Sequence, residues 1–381
     1  MGLPAKPSKG DGFYEVRAKF CGDLGRARPG SARKIDFGSS EGPPDEKKIE
    51  VGYGSIEIAK THPFSRSVHG FAISPSVLER MIYVGQLETY GKGAEVLVKL
   101  GGIRTNDAQL HRVTDYFGGL LTPHEAGKPD KSAVVGADEV VYGAVDGSMI
   151  LTDDGWKEVK LGRVFREDTC SKSLSPKRNG RIGESQYAAV LGSHTAFAES
   201  FEPLLAPYAH LGGRLVFLTD GALWIKNWMD ANYPKAVQIL DFYHVKEHLG
   251  QFAKLVMANP KERTDWVEQQ ADHLKNGAFD SVIAAIRTFD EQNGEQAKLL
   301  NYLESNRDRM DYRLFLEAGL FIGSGAIEAA HKTVIQCRLK KSGQRWSDNG
   351  AQNLLNLRVA YMSGQSHKII NLFQKPRALA A

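Results

Sequence analysis

Two short apolar runs, each ending in an aspartate, constrain the fold of this chain more than any other feature. RLVFLTD ends at Asp220 and AVQILD ends at Asp241. Continuous apolar runs of this length are typical of strands buried on both faces, which occur in parallel sheets covered by helices. Helical patterns, LWIKNWMDAN and VKEHLGQFAKLVM, follow soon after each run. The sequence therefore predicts an α/β fold with a β-α-β unit.

The segment before this unit predicts antiparallel strands. EVVYGAVDGSMILT and WKEVKLGRVFRE flank a DDG turn and form a hairpin, and QYAAVLG supplies a third strand. Three antiparallel strands followed by a β-α-β unit is the order of an RNase H-like sheet. We therefore expect a mixed sheet flanked by helices. Residues 260–320 carry polar-faced helical patterns, which predict a helical insertion in this domain.

The N-terminal region predicts a pair of helices joined by a tight turn. A helical pattern starts at Ser74, a Gly101-Gly102 break follows, and a second helix begins at a Thr105 or Asn106 cap. This is the outline of a helix-turn-helix, in which the second helix enters the major groove of DNA. The alternative is a plain helical hairpin without DNA contact. The residues expected to face the groove are Arg104, Gln109, His111 and Arg112.

Shifts in composition divide the chain into seven predicted segments. They are a disordered or loosely ordered segment (1–55), a helical, helix-turn-helix-like region (56–120), a linker (121–138), the first part of the α/β core (139–259), the helical insertion (260–320), the final core helices with a basic stretch (321–365) and a C-terminal tail (366–381).

Charge and composition limit the partners and the cellular locations that we expect for this protein. The net charge is only +4, but residues 321–381 hold nine Lys and Arg against two acids, a net charge of +7. Such an imbalance favours a polyanionic partner, although a solvated basic tail gives the same count. The chain contains no apolar run of about 18 residues and no apolar signal segment, so we expect neither a membrane span nor secretion. Three widely separated cysteines fit a reducing cytoplasm.

Three carboxylates are the candidate catalytic residues. Asp146 lies inside an apolar strand, Asp220 ends a buried strand, and Glu328 lies in the first turn of the helix after Gly323-Ser324-Gly325. A carboxylate in an apolar strand is costly unless it is paired or holds a cation. Oxygen ligands without cysteine suit Mg²⁺, and two such ions support in-line attack on a phosphodiester. Taken singly, each carboxylate also fits an ordinary turn or helix-end role.

Four sequence blocks resemble those of a known family. VDGSMILTDDGWKEVKLGRVF, FLTDGALWIKNW, ILDFYHVKEHL and GSGAIEAAHKTVIQCRLKKSGQRWS resemble, in this order, blocks of bacterial insertion-sequence DDE transposases of the ISKra-type group, which is related to the Mutator-like transposases. The resemblance covers residues 138–365. It implies an RNase H-like catalytic domain, Mg²⁺ (with Mn²⁺ as a substitute) bound by Asp146, Asp220 and Glu328, and a supporting role for Asp241 and His244.

A competing motif overlaps the last pair. His244, Glu247 and His248 fit H-x-x-E-H, in which two histidines one helical turn apart bind zinc in a class of proteases. A zinc protease would leave Asp146 and Asp220 unexplained. Without any catalytic role, Asp241 would simply cap the helix that follows it, and His248 would be an ordinary residue on the surface of that helix.

The basic stretch after Glu328 predicts contacts to DNA phosphates. Trp346 is expected to stack on an unpaired base, or else to anchor the last helices to the core. His331 lies on roughly the same side of its helix as Glu328. The basic residues expected to bind phosphates are Lys332, Arg338, Lys340, Lys341 and Arg345.

The resemblance implies a cytoplasmic, nucleoid-associated bacterial enzyme. We expect it to cleave DNA strands at the terminal inverted repeats of its own element and to join them to target DNA. Joining two ends implies a homodimer or a larger assembly on double-stranded DNA. Two different functions stay open: a non-catalytic DNA-binding regulator derived from a transposase, and an RNase H-like nuclease without strand transfer.

Overall fold

A five-stranded central sheet, two two-stranded sheets and fifteen α-helices are the main elements of the described part of the chain. The structure is a computed structural model that describes residues 46–51, 54–59, 68–130, 135–136, 138–171, 181–290, 294–323 and 325–373. The strands are β1 (Glu46–Val51), β2 (Gly54–Ala59), β3 (Val141–Thr152), β4 (Gly155–Arg166), β5 (Cys170–Ser171), β6 (Arg181–Ile182), β7 (Gln186–Leu191), β8 (Leu215–Thr219) and β9 (Val237–Leu240). The helices are α1 (Pro75–Leu87), α2 (Tyr90–Gly101), α3 (Asp107–Gly119), α4 (Pro123–Gly127), α5 (His194–Leu205), α6 (Leu223–Asn232), α7 (Phe242–Val256), α8 (Pro260–Lys275), α9 (Phe279–Arg287), α10 (Glu295–Ser305), α11 (Tyr312–Glu317), α12 (Gly325–Ala330), α13 (Cys337–Leu339), α14 (Asp348–Met362) and α15 (Ser366–Leu372).

The five-stranded sheet has the order β7-β4-β3-β8-β9. β3, β4 and β7 are antiparallel neighbours, whereas β8 runs parallel to β3 and β9 runs parallel to β8. A tight turn joins β3 to β4, and Gly155 there has a φ of +107°, a conformation that favours glycine. The predicted α/β class, with a mixed sheet flanked by helices, is confirmed.

Helices cover both faces of this sheet, which explains its apolar strands. On one face, Phe197 and Phe201 of α5 and Met229 of α6 are fully buried against β3, β4 and β8. On the other face, α7, α12 and α14 pack, with Val245 and Leu249 of α7 fully buried. Burial of each such side chain stabilises the fold by about 1.5–3 kcal/mol. The segment predicted as a helical insertion holds α8 to α11. None of the helices in the described ranges is long and apolar enough to span a membrane.

The N-terminal helices pack on the C-terminal end of the chain. The side chain of Asn106 caps α3 and accepts a hydrogen bond from Gln109 N (2.8 Å), and Gly102 ends α2 in the left-handed conformation. Leu110 and Phe117 of α3 share an apolar cluster with Leu357 of α14. The predicted helical pair is therefore present, and it is packed onto the body of the molecule.

Three predicted segment boundaries differ from the structure. β1 and β2 form an antiparallel hairpin across the expected boundary at residue 55, where a loose segment and then helix were predicted. The predicted linker contains α4, which a reciprocal Thr122–Glu125 capping box stabilises. The predicted tail begins with α15, whose Ile369 and Leu372 are buried. The first two differences come from short-range pairing or capping in segments with a polar composition, whereas α15 is held by the burial of Ile369 and Leu372 in the apolar cluster that contains Leu110 and Phe117. Most of residues 1–55 lie outside the described residues.

The contact between α3 and α14 leaves no room for a side chain at Gly118. A Cβ atom there would lie 2.2 Å from the backbone oxygen of Asn353. We expect Gly118→Ala to lower the free energy of unfolding by about 1–3 kcal/mol, because the two backbones must move apart. Gly91 in α2 is the matched control, since a Cβ atom there meets nothing within 4 Å. Urea unfolding of both variants checks this, and equal stability of the two would contradict it.

Candidate active site

Asp146 of β3 lies next to Asp220, the residue that directly follows the neighbouring parallel strand β8. Val145 of β3 pairs with Thr219 of β8, so the two aspartates are the next residues in register. Asp146 Oδ1 accepts a hydrogen bond from Gly147 N (2.7 Å), and Asp220 Oδ1 accepts one from Ala222 N (3.0 Å). In each case a backbone N–H fixes one carboxylate oxygen and leaves the other oxygen for another partner.

The surroundings of Asp220, which include the carboxylate of Asp146, raise the pKa of its carboxyl group. Its partial burial raises the pKa of its carboxyl group above the ordinary value of 3.8, and the negative charge of Asp146 raises it further. The Ala222 N–H and the nearby His244 act in the opposite direction. Within the described residues, neither aspartate forms an ion pair with lysine or arginine. The pair therefore concentrates negative charge that a bound cation would neutralise.

This charge leads to a pH-dependent prediction for Asp220→Asn. A carboxyl group whose pKa is raised on folding binds its proton more tightly in the folded state than in the unfolded state. Its ionisation therefore destabilises the fold as the pH rises from the unfolded pKa through the folded pKa. In metal-free buffer we expect Asp220→Asn to melt at a higher temperature than the parent at pH 7. At about pH 3 this difference in melting temperature should vanish, because the carboxyl group of Asp220 in the parent is then protonated and as neutral as the amide of the variant. Calorimetry at the two pH values checks this, and a parent that is more stable at pH 7 would contradict it.

Glu328 lies on α12, which packs across β3 and β4. Arg163 of β4 is buried, and its Nη1 donates to Ala326 O (2.6 Å), which fixes the start of α12 to the sheet. Ile327 is buried beneath the helix and Glu328 is exposed in its first turn. Within the described residues, no three His, Cys, Asp or Glu side chains are gathered closely enough to hold a metal ion. The structure therefore brings Asp146 and Asp220 together and places Glu328 on the helix that packs beside Asp146's strand.

His331 is the residue that contacts Asp146 from the α12 side. Its Nε2 lies 3.2 Å from Asp146 Oδ2, and the residue is only 4% exposed. It follows Glu328 by three positions, so the two residues lie on the same side of consecutive turns. The candidate residues predicted from the sequence did not include His331. The spacing from Glu328 was the available signal.

Asp241 and His244 lie at the start of α7. Asp241 is buried and caps the helix, since its Oδ1 accepts a hydrogen bond from Tyr243 N (3.0 Å). This is the capping role that the sequence left open. His244 Nε2 lies 3.2 Å from His248 Nε2, so the two imidazoles share a hydrogen bond.

Tyr302 links His248 to the aspartate pair. Its ring packs on His248, and its hydroxyl donates to the backbone oxygen of Asp220 (3.2 Å). Burial lowers the pKa of His248, and the neighbouring His244 lowers it further. His248 is therefore partly enclosed and not an ordinary surface residue.

Two predicted DNA contacts are wrong, because Arg338 and Trp346 are buried. Arg338 is fully buried between the rings of Tyr90 (4.8 Å) and Trp346 (5.1 Å), and its Nε donates to Gly85 O (3.0 Å). Trp346 Nε1 donates to Leu339 O (3.0 Å). Both side chains join the C-terminal helices to the rest of the fold, which is the anchoring role considered for Trp346.

The remaining basic candidates are at the surface. Lys341 forms an ion pair with Glu88 (2.7 Å), and Arg112 donates to Gln109 Oε1 (2.6 Å). These two contacts are partly or fully exposed, so DNA can compete for both side chains. Four further exposed candidates have no ion pair or side-chain hydrogen bond to the described residues: Arg104, Lys332, Lys340 and Arg345.

A comparison with protein families places part of the chain in a family match. The family described as "Uncharacterised protein family (UPF0236)" matches residues 204–375, from the end of α5 past α15. The matched range includes Asp220, Glu328 and His331 and excludes Asp146 and the N-terminal helices. No curated protein matches the chain. The description of the family names no activity, so the function is argued from the site.

Proposed function

We propose that this protein is a DDE-type DNA transposase that cleaves DNA strands at the ends of its own element and joins them to target DNA. The observation that carries the proposal is the proximity of Asp146 and Asp220, which directly follow the paired residues Val145 and Thr219 of two neighbouring parallel strands. Ligand sites of α/β sheets lie at the carboxyl ends of such strands. A pair of carboxylates with a third on a flanking helix suits metal-dependent phosphodiester chemistry.

The sheet supports an RNase H-like identity for this domain. Its first three strands in sequence are antiparallel neighbours, and the fourth, β8, returns beside the first, β3. α8 to α11 lie in the chain between this sheet and α12, where the resemblance to DDE transposases implies a helical insertion. The third carboxylate, Glu328, follows that insertion.

The aspartate pair fits divalent cations. Asp220 is partly buried, Asp146 adds a like charge, and within the described residues no lysine or arginine pairs with either. Mg²⁺ prefers such oxygen ligands, and Mn²⁺ accepts them. Asp146 and Asp220 would hold the ions, and the resemblance to DDE transposases implies Glu328 as the third ligand. The ions would supply activation of a water or 3′-hydroxyl and stabilisation of the leaving oxygen.

Two further sets of groups would orient the aspartates and supply positive charge for binding DNA. The backbone N–H groups of Gly147 and Ala222 orient the two aspartates. Exposed Lys332, Lys340 and Arg345 lie downstream of Glu328 and are suited to bind phosphates in a salt-dependent way. Arg104 and Arg112 offer a second basic surface at α3. Two DNA ends must meet for strand transfer, so we propose a homodimer or larger assembly.

A strand-transfer assay tests this proposal. The full chain is incubated with labelled DNA that carries the two ends of the element flanking its gene, in Mg²⁺, and products are resolved on a denaturing gel. We expect nicked ends and joined strands. Nicking without joining would favour a nuclease, and salt-sensitive binding without cleavage would favour a DNA-binding regulator.

A further inference from the structure

The carboxylate of Asp146 has two oxygens with different surroundings. Oδ1 accepts the backbone N–H of Gly147, whereas Oδ2 faces His331 Nε2 at 3.2 Å. Asp146 lies on β3 in the middle of the sheet, and His331 follows α12, which packs on that sheet. The contact therefore joins the catalytic strand to the segment that carries Glu328.

His331 is buried in a way that needs an explanation. The residue is 4% exposed, and neither ring nitrogen has a hydrogen-bond partner among the described residues. The contact to Asp146 lies within ion-pair distance but outside hydrogen-bond alignment. Burial of an unpartnered polar ring destabilises a fold. The χ2 torsion of histidine is soft, so the ring can turn Nε2–H toward Asp146 Oδ2 at little cost.

The backbone around His331 is also specialised. Residues His331–Gln336 form a π-helical segment, a rare geometry that often occurs at functional sites. The buried Arg358 of α14 donates to the backbone oxygens of Thr333 and Val334 within this segment. Arg358 therefore holds this segment, and His331 is the first residue of the segment.

We propose that His331 is a positioning residue that holds Asp146 in the orientation needed at the reacting phosphate. This inference rests on the proposed function, because it assigns Asp146 to the reaction. A ligating carboxylate is oriented by a second polar group, and loss of such a group costs about 10–100-fold in metal affinity or activity. Glu328 and His331 lie on consecutive turns and serve the same site. Glu328 would hold the ion, and His331 orients Asp146.

The test compares His331→Leu with His331→Gln in the full chain. Leucine fills the space without a donor, whereas the glutamine amide nitrogen can reach the position of Nε2. Electron paramagnetic resonance of free Mn²⁺ measures the affinity for Mn²⁺ alone, and DNA nicking against Mg²⁺ concentration measures its functional use. We expect His331→Leu to weaken both by about 10–100-fold, and His331→Gln to restore most of the loss. His210→Leu, at an exposed position, is the control.

Each outcome decides the inference. Wild-type affinity in His331→Leu overturns it, and so does equal impairment of the leucine and glutamine variants, which would show a packing role only. A parent that binds no Mn²⁺ overturns it as well. A parent that binds Mn²⁺ but never cleaves DNA contradicts the proposed function, and the Mn²⁺ affinities of the variants then decide the inference separately. Thermal melting shows that each variant is folded.

Discussion

Replacing Asp146 or Asp220 by asparagine is expected to reduce DNA nicking and joining by about 10³-fold or more, since removal of a residue that acts on the reacting atoms typically costs at least this much. Asparagine keeps the size of the side chain and removes the charge that would hold a cation. Asp220→Asn should at the same time melt no lower than the parent at pH 7, for the electrostatic reason given above. Loss of activity with retained stability identifies a site residue and not a structural one.

Asp153→Asn is the matched control for this result. Asp153 lies in the exposed turn that joins β3 to β4, so the same chemical change is made next to β3 but outside the candidate site. Denaturing gels of timed reactions in Mg²⁺ give the rates of the three variants. Activity within a few-fold of the parent in Asp220→Asn would contradict the assignment, and so would an equal loss in Asp153→Asn.

The largest expected effect on stability is that of Arg358→Met. Arg358 is 2% exposed and donates to Gln86 O, Val334 O and Thr333 O, and it also contacts Cys337 Sγ (2.9 Å). Methionine retains much of the volume but leaves buried carbonyl groups without donors, each at a cost of about 1–3 kcal/mol. We expect the free energy of unfolding to fall by about 3–5 kcal/mol, measured by urea unfolding.

Arg80→Met makes the same change at an exposed position on α1 and should alter stability by no more than about 0.5 kcal/mol. A loss of less than about 1 kcal/mol in Arg358→Met would mean that water replaces the guanidinium. In that case the π-helical segment does not depend on Arg358.

The sequence predicts the sheet well because its signals are local. Alternation along β3 and β4, and the apolar runs of β8 and β9, depend on residues that are neighbours in the chain. The position of each aspartate relative to its strand follows from the same runs. The local pattern does not say that β3 and β8 are neighbours; the expected RNase H-like strand order supplies that step and so predicts that Asp146 and Asp220 lie close together.

The burial of Arg338 and Trp346 was not predicted, because it depends on long-range packing and not on local signals. A basic run in the sequence reports charge and not the partners that long-range packing supplies. Tyr90, which packs on Arg338, lies almost 250 positions earlier in the chain. One signal was available: Arg338 falls on the helical stripe of Ile327 and Val334, both of which are buried. His331 lies near the same stripe, but its contact with Asp146 also depends on the π-helical segment.

The close packing of α3 on α14 has a mechanical consequence. Asn356 of α14 donates to Gly118 O (3.2 Å) and Leu121 O (2.6 Å), and Asn353 donates to Asp115 (2.9 Å). These bonds, together with the backbone contact at Gly118, tie α3 directly to α14, which follows the candidate site in the chain. If α3 binds DNA, these contacts set its distance from the candidate site. The scissile bond is then expected at a fixed number of base pairs from the sequence that α3 recognises.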